Sequence, residues 1–144
     1  MIWMAVIFSA SGDRQSFNRS SRIIGPFLQW FFPGIPDENM SRVVTFVRKC
    51  AHLTEYAVLA ILFWRAITEP RWREKIPWSS RTAWAAVAFV AVYAASDEFH
   101  QSLVPGRQGQ FSDVVLDTIG GCAGMGIVWM ITCARARVIR ERAA

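Results

Sequence analysis

The sequence has few of the residues that build reactive or nucleic-acid-binding sites in soluble proteins. It contains three cysteines, at positions 50, 122 and 133, and no CxxC pair, so neither a disulfide framework nor a cysteine-ligated metal site is expected. No serine–histidine pair stands at a spacing diagnostic of nucleophilic catalysis. The net charge is +5, but the basic residues flank apolar segments and form no single stripe, so no nucleic-acid partner is predicted.

Charge is also missing from long stretches of the chain. Ala83–Ala95 has no charged side chain and no polar face, whereas a surface helix of a soluble protein shows a polar stripe. Hydrophobic residues make up 53% of the chain and are concentrated in blocks, each close to the roughly 20 residues that span a bilayer. Three such blocks are Ala51–Ile67, Thr82–Val104 and Val114–Cys133. The alternative, a soluble bundle of three buried helices, has to explain Ala83–Ala95.

A fourth apolar block, Met1–Ala10, is too short for a full span. No basic segment precedes it, so a signal peptide is disfavoured. We interpret it as the end of a truncated first span or as a short, tilted one. The sequence therefore predicts an all-α fold: an integral membrane helical bundle of about four transmembrane helices in a single domain, residues 1–144.

The segments between the spans contain helix-breaking and polar residues. Ser11–Arg22 is serine-rich and polar and predicts a loop. Ile23–Pro36 is aromatic but interrupted by glycine and proline, which favours a short interfacial or re-entrant piece or a hydrophobic loop packed on the bundle. Asp37 is a candidate N-cap for an early start of the second helix, and Ser112 or Asp113 for the fourth.

Basic residues predict the orientation of the bundle. Two segments are rich in arginine and lysine, residues 65–81 and 135–142, and alternating spans place both on the same side of the membrane. The positive-inside rule makes that side cytoplasmic. The short loop with Pro70 and Pro77 and both chain termini are then predicted to be cytoplasmic, in a cell membrane crossed several times.

The remaining ionisable residues converge at the opposite, outer ends of three spans. Such residues are costly within a bilayer and are rarely left facing lipid. They are Lys49, His52, Glu55 and Tyr56 on one face of the second span; Asp97, Glu98, His100 and Gln101 at the end of the third; Arg107 in the turn; and Asp113 and Asp117 at the start of the fourth.

These side chains suggest acid–base or ligand-binding chemistry. Adjacent carboxylates at Asp97 and Glu98 would repel each other, so one needs a proton or a cation. Arg107 follows a Pro-Gly turn and is the expected charge partner. The candidate catalytic residues are His52, Glu55, Asp97, Glu98, His100 and Arg107, and the candidate binding residues are Lys49, Tyr56, Gln101, Asp113 and Asp117. Imidazole and carboxylate also suit several metals, but nothing in the spacing defines a metal or a cofactor.

Glycines in the fourth span predict close helix packing. Gly120 and Gly124 have the small-xxx-small spacing that lets another helix approach. No predicted strand precedes them, so they do not indicate a phosphate-binding loop.

Together, these motifs resemble the VanZ-like family of bacterial membrane proteins. The resemblance rests on Arg48-Lys49-Cys50-Ala51-His52-Leu53-Thr54-Glu55-Tyr56, Asp97-Glu98-Phe99-His100-Gln101, Val104-Pro105-Gly106-Arg107, the segment Asp113–Asp117, Gly120-Gly121, and Phe8-Ser9-Ala10-Ser11 at the end of the first span. It extends from about Trp3 to Val128, and the N-terminus departs from it because the first span is short. It implies a small protein of mostly four spans, in a family whose founding member is associated with low-level resistance to the glycopeptide teicoplanin.

Three functional interpretations remain open. The first is a protein that binds an envelope lipid, a lipid-linked or cell-wall component or a glycopeptide. The second is a membrane enzyme whose histidine and carboxylate groups act as general acid and base on a lipid-linked substrate. The third is a purely structural polar network that holds three helices together, which requires every buried member to be satisfied.

Overall fold

The computed structural model describes residues 2–4, 7, 26, 30, 34, 36–68, 78–103 and 110–143. Within them the chain forms three long helices: α1 (Asp37–Thr68), α2 (Ser80–Ser102) and α3 (Phe111–Ala143). Residues 2–4 and 7 are also helical. The all-α prediction is confirmed.

Several predictions concern parts of the chain outside the described residues. These are the loop Ser11–Arg22, most of the segment Ile23–Pro36, the loop with Pro70 and Pro77, and the turn that contains Arg107.

The helix starts differ from the predicted caps. α1 opens early, as expected, but the carbonyl of Pro36 accepts the N–H of Met40, so Pro36 takes the N-cap place that was predicted for Asp37. Ser112 and Asp113 are not N-caps of α3, because the helix begins at Phe111 and the carbonyl of Gln110 accepts the N–H of Asp113. In both cases the chain enters the helix one or more residues before the short polar side chain.

Contacts between the helices define their directions. A Cβ added to Gly120 would lie 2.5 Å from the carbonyl oxygen of Leu53, and one added to Gly124 would lie 2.5 Å from that of Ala57. The two pairs advance together along both chains, so α1 and α3 run parallel. The prediction that Gly120 and Gly124 face another helix at close range is confirmed.

The middle helix runs the opposite way. The hydroxyl of Tyr56 in α1 contacts Asp97 in α2. About two turns further along α1, the ring of Phe63 stacks on that of Phe89, with centroids 3.8 Å apart. Higher numbers in α1 therefore pair with lower numbers in α2. As a result α1 and α3 end where α2 begins. We call this the basic end of the bundle, since it carries Arg65, Arg81, Arg135, Arg137, Arg140 and Arg142.

The N-terminal helical residues pack on the bundle. The indole N–H of Trp3 donates to the carbonyl oxygen of Glu55 (3.1 Å), and the hydroxyl of Tyr93 donates to that of Met4 (2.7 Å). Ile7 is fully buried in the core. The described residues of the predicted first span are thus attached to α1 by the Trp3 indole and to α2 by the Tyr93 hydroxyl, and Ile7 packs in the core.

The outer surface of the helices is apolar. Large hydrophobic side chains such as Phe46, Trp84, Val92 and Phe99 are each more than half exposed. Exposing such a surface to water would cost free energy, whereas the acyl chains of a bilayer would cover it. Two helical segments, Glu38–Thr68 and Phe111–Arg142, are long and apolar enough to cross a membrane. With 32 residues, α1 is about 48 Å long, more than the roughly 30 Å hydrocarbon core.

Candidate functional site

The residues predicted at the outer ends of the spans meet near the end of α2 and the start of α3, on the side opposite the basic end, but on α1 they lie in the middle of the helix, because α1 begins at Asp37. We call this group the polar cluster, and it consists of His52 and Tyr56 of α1, Asp97, Glu98 and Gln101 of α2, and Asp117 of α3. Each of the three long helices contributes to it. All members except His52 are buried.

Asp97 lies at the centre of the polar cluster. Its side chain is 3% exposed, and its Oδ2 atom accepts a hydrogen bond from the amide of Gln101 (2.9 Å) and a long one from the hydroxyl of Tyr56 (3.5 Å). Its Oδ1 atom is buried and accepts no hydrogen bond from the described residues. One half of this carboxylate is therefore satisfied by neighbours one turn away and across the helix interface, and the other half is not.

Asp117 has a similar half-satisfied environment. It is 2% exposed, and its Oδ1 atom receives no hydrogen bond from the described residues. Nδ1 of His52 lies 3.7 Å from this Oδ1 atom, which is an ion-pairing distance and too long for a hydrogen bond. Asp97, Glu98 and Asp113 all lie within electrostatic range of Asp117, so the surroundings are strongly acidic.

His52 forms the accessible side of the cluster. Its side chain is 28% exposed, while its ring is nearly parallel to that of Tyr56, with an interplanar angle of 13° and centroids 6.4 Å apart. The imidazole is therefore held between a buried tyrosine and a buried carboxylate and still reaches the surroundings. The imidazole is therefore the part of the His52–Tyr56–Asp117 group that an incoming molecule can contact.

Glu98 connects the cluster to the start of α3. It is buried, and its Oε2 atom accepts the backbone N–H of Gln110 (2.9 Å). The contact closes the turn between α2 and α3 at its far end. The sequence did not indicate Gln110, because a backbone N–H carries no residue-specific signal and the length of the turn alone does not determine which amide meets the carboxylate.

The other predicted site residues lie around the polar cluster. Glu55 is half-buried and within electrostatic range of His52 and Asp97, and its carbonyl holds Trp3. Lys49 is exposed, and His100 and Asp113 are half-buried. Arg107 lies outside the described residues, so its pairing with a carboxylate stays a prediction.

A metal centre is not assembled by the described residues. Among them, no three histidine, cysteine, aspartate or glutamate side chains are grouped so that they could hold a metal ion. The three cysteines are free thiols, with Cys50 and Cys122 exposed and Cys133 half-buried. The side chains of the polar cluster offer carboxylate, imidazole, phenol and amide groups.

Comparison with known proteins identifies the family. No curated protein and no solved structure is similar enough to count as a match. Residues 1–132 match the model of the VanZ/LLP1 family. The matched range contains every member of the polar cluster and both Gly120 and Gly124. With the apolar helices, this match indicates a membrane protein. The chain belongs to the VanZ/LLP1 family.

Proposed function

We propose that this protein binds a cell-envelope component through the polar cluster, with His52 at the entrance and Asp97 and Asp117 as the buried acceptors. The supporting observation is the pair of buried carboxylate oxygens, Oδ1 of Asp97 and Oδ1 of Asp117, that accept no hydrogen bond from the described residues. A buried acceptor without a donor is costly, so a site of this kind favours a ligand that supplies donors.

The charge of the cluster narrows the ligand class. Asp97, Glu98, Asp113 and Asp117 are acidic and mutually close, and His52 lies within ion-pairing distance of Asp117. A ligand that carries an ammonium group or several hydroxyls would match these acceptors, as in the head group of a lipid or of a lipid-linked glycan. The predicted pairing of Arg107 with one of the adjacent carboxylates, Asp97 or Glu98, leaves the other carboxylate for the ligand.

The location near the end of α2 and the start of α3 supports a head group as the ligand. The polar cluster lies opposite the basic end, which the positive-inside rule assigns to the cytoplasm. The ligand would then come from the outer surface of the membrane. Binding there would alter the envelope surface that a glycopeptide meets, and we propose that any effect of this protein on teicoplanin susceptibility arises in this way.

A membrane enzyme is the second candidate, and the His52–Asp117 pair favours it. An imidazole beside a buried carboxylate is the arrangement of a general base with an orienting acid. Such an enzyme would act on a lipid-linked substrate and would release a covalently altered lipid. Mass spectrometry of lipids from cells with and without the protein separates the candidates, since a binder changes no lipid covalently.

Binding is tested with purified protein in nanodiscs of phosphatidylcholine, whose head group has no hydrogen-bond donor. Phosphatidylethanolamine supplies an ammonium donor, and an uncharged glucosyl diacylglycerol supplies hydroxyls. A ligand that binds the folded state raises its thermal stability. We expect at least one of the two lipids to raise the melting temperature of the wild type but not of Asp117→Asn. No shift with either lipid would overturn the binding proposal.

Function in cells is tested by teicoplanin susceptibility, measured beside membrane abundance. Asp97→Asn and Asp117→Asn should abolish any protection while the abundance stays normal. Thr68→Val is the matched control, because Thr68 is a buried polar residue near the basic end that bonds to its own helix. Loss of both cluster variants from the membrane would instead identify a structural network.

A further inference from the structure

An open apolar groove lies between the first half of α2 and the middle of α3, away from the polar cluster. Its volume is about 340 Å³, and its walls include the indole rings of Trp78, Trp84 and Trp129 together with Met125. At Gly126, an added Cβ would meet no heavy atom within 4 Å, so the groove reaches down to the backbone of α3. Trp84 is 69% exposed, which shows that the groove opens outward from the bundle.

The groove ends next to the basic end of the bundle. Gly121 of α3 lies against Val90 of α2, with 3.0 Å between its added Cβ and a valine methyl. Because α2 and α3 are antiparallel, the residues of α3 just past Trp129 come level with the first turn of α2. Arg81 is exposed in that turn.

Arginine side chains continue the groove face of α3. Arg137 follows Gly126, and Arg140 follows Trp129, each by about three helical turns. Both arginines are exposed. Their long side chains can extend along the helix while the guanidinium stays at the polar boundary. Positive charge therefore stands at one end of an otherwise apolar groove.

We propose that this groove binds an anionic phospholipid, with one acyl chain between α2 and α3 and the phosphate near Arg81 and Arg137. The inference is independent of the function proposed for the polar cluster. It concerns the opposite end of the bundle and residues that all lie outside the polar cluster.

The physical reasons are packing and charge. If the groove stayed empty, the side chains that line it would lose dispersion contacts. In a bilayer, the flexible acyl chain of a lipid can fill it. Acyl chains gain little free energy merely by leaving other acyl chains, so selectivity has to come from the indole rings and the basic end. Tryptophan and arginine near a span end are the side chains that meet lipid head groups.

The experiment is native mass spectrometry of the full chain released from nanodiscs of phosphatidylglycerol and phosphatidylcholine. We expect one retained lipid with a preference for phosphatidylglycerol. At Gly126 an added Cβ meets no heavy atom within 4 Å, so Gly126→Leu can place its side chain in the groove, and it should lower the retained lipid about tenfold, which corresponds to roughly 1.4 kcal/mol. Arg81→Gln should keep the lipid but reduce the anionic preference about fivefold.

The matched control is Ala123→Leu, which adds the same side chain to an exposed position of α3 that does not line the groove. It should retain lipid as the wild type does. Equal retention by Gly126→Leu and Ala123→Leu would overturn the proposal. A dimer that is present in the wild type and lost in Gly126→Leu would also overturn it, because the groove would then be an interface between two copies of the chain.

Discussion

The Nδ1 atom of His52 lies 3.7 Å from Oδ1 of Asp117, and the two residues belong to helices that run parallel. The aspartate is 2% exposed and the histidine 28% exposed. A buried acid is therefore reached through an accessible imidazole. The parallel packing that produces this contact depends on Gly120 and Gly124, which bring α3 against the backbone of α1.

We expect Asp117→Asn to separate stability from function. The substitution keeps the volume of the side chain and removes a buried charge whose Oδ1 atom accepts no hydrogen bond from the described residues. Because Asp97, Glu98 and Asp113 lie within electrostatic range of Asp117, an uncharged amide there relieves repulsion between acidic groups, so the melting temperature in detergent should stay the same or rise. Any protection that the wild type gives in the teicoplanin susceptibility assay should be lost. A strong fall in melting temperature would show that the carboxylate holds the helices together.

Arg107→Lys and Glu98→Gln test the predicted charge partner of the adjacent carboxylates. Lysine keeps the charge of Arg107 but loses the two-pronged contact with a carboxylate, so function should be impaired at normal membrane abundance. Glu98→Gln should act likewise, although Glu98 also accepts the N–H of Gln110. If both variants restored the wild-type phenotype in a deletion strain at normal membrane abundance, the polar cluster would serve only to hold the helices together.

Gly124→Ala should strongly reduce the folded yield, whereas Gly126→Ala should not. The added methyl at Gly124 would lie 2.5 Å from a backbone oxygen of Ala57, which cannot move without shifting α1, whereas at Gly126 it would meet nothing within 4 Å. Overpacking of this kind costs about 1–3 kcal/mol. Monodisperse protein after size-exclusion chromatography is the measure.

Single cysteines test the predicted orientation of the bundle. In a background without Cys50, Cys122 and Cys133, Ser112→Cys marks the end with the polar cluster and Ser80→Cys marks the basic end. Both serines are exposed. An impermeant maleimide added to intact cells should label Ser112→Cys, and Ser80→Cys only after the membrane is permeabilised. The reverse pattern would place the polar cluster in the cytoplasm.

Much of the fold was predictable from the pattern of charge and hydrophobicity. Apolar blocks predicted the helices, and helical spacing predicted the packing face of Gly120 and Gly124. Helix ends were less predictable, since the starts of α1 and α3 depend on the backbone carbonyls of Pro36 and Gln110. A carbonyl has the same chemistry at every position, so only its placement in the fold makes it a cap.

By itself, the sequence determined which residues are costly in a membrane and that they lie near the end of α2 and the start of α3, whereas on α1 they lie in the middle of a helix that begins earlier than the predicted span. Tertiary structure decided how they pair. Asp97 meets Tyr56 and Gln101, Asp117 meets His52, and Glu98 turns to the backbone of Gln110. These choices depend on the rotation and offset of each helix about its axis. The contact of Gly120 with Leu53 and the stacking of Phe63 on Phe89 define that rotation through atoms far apart in the chain.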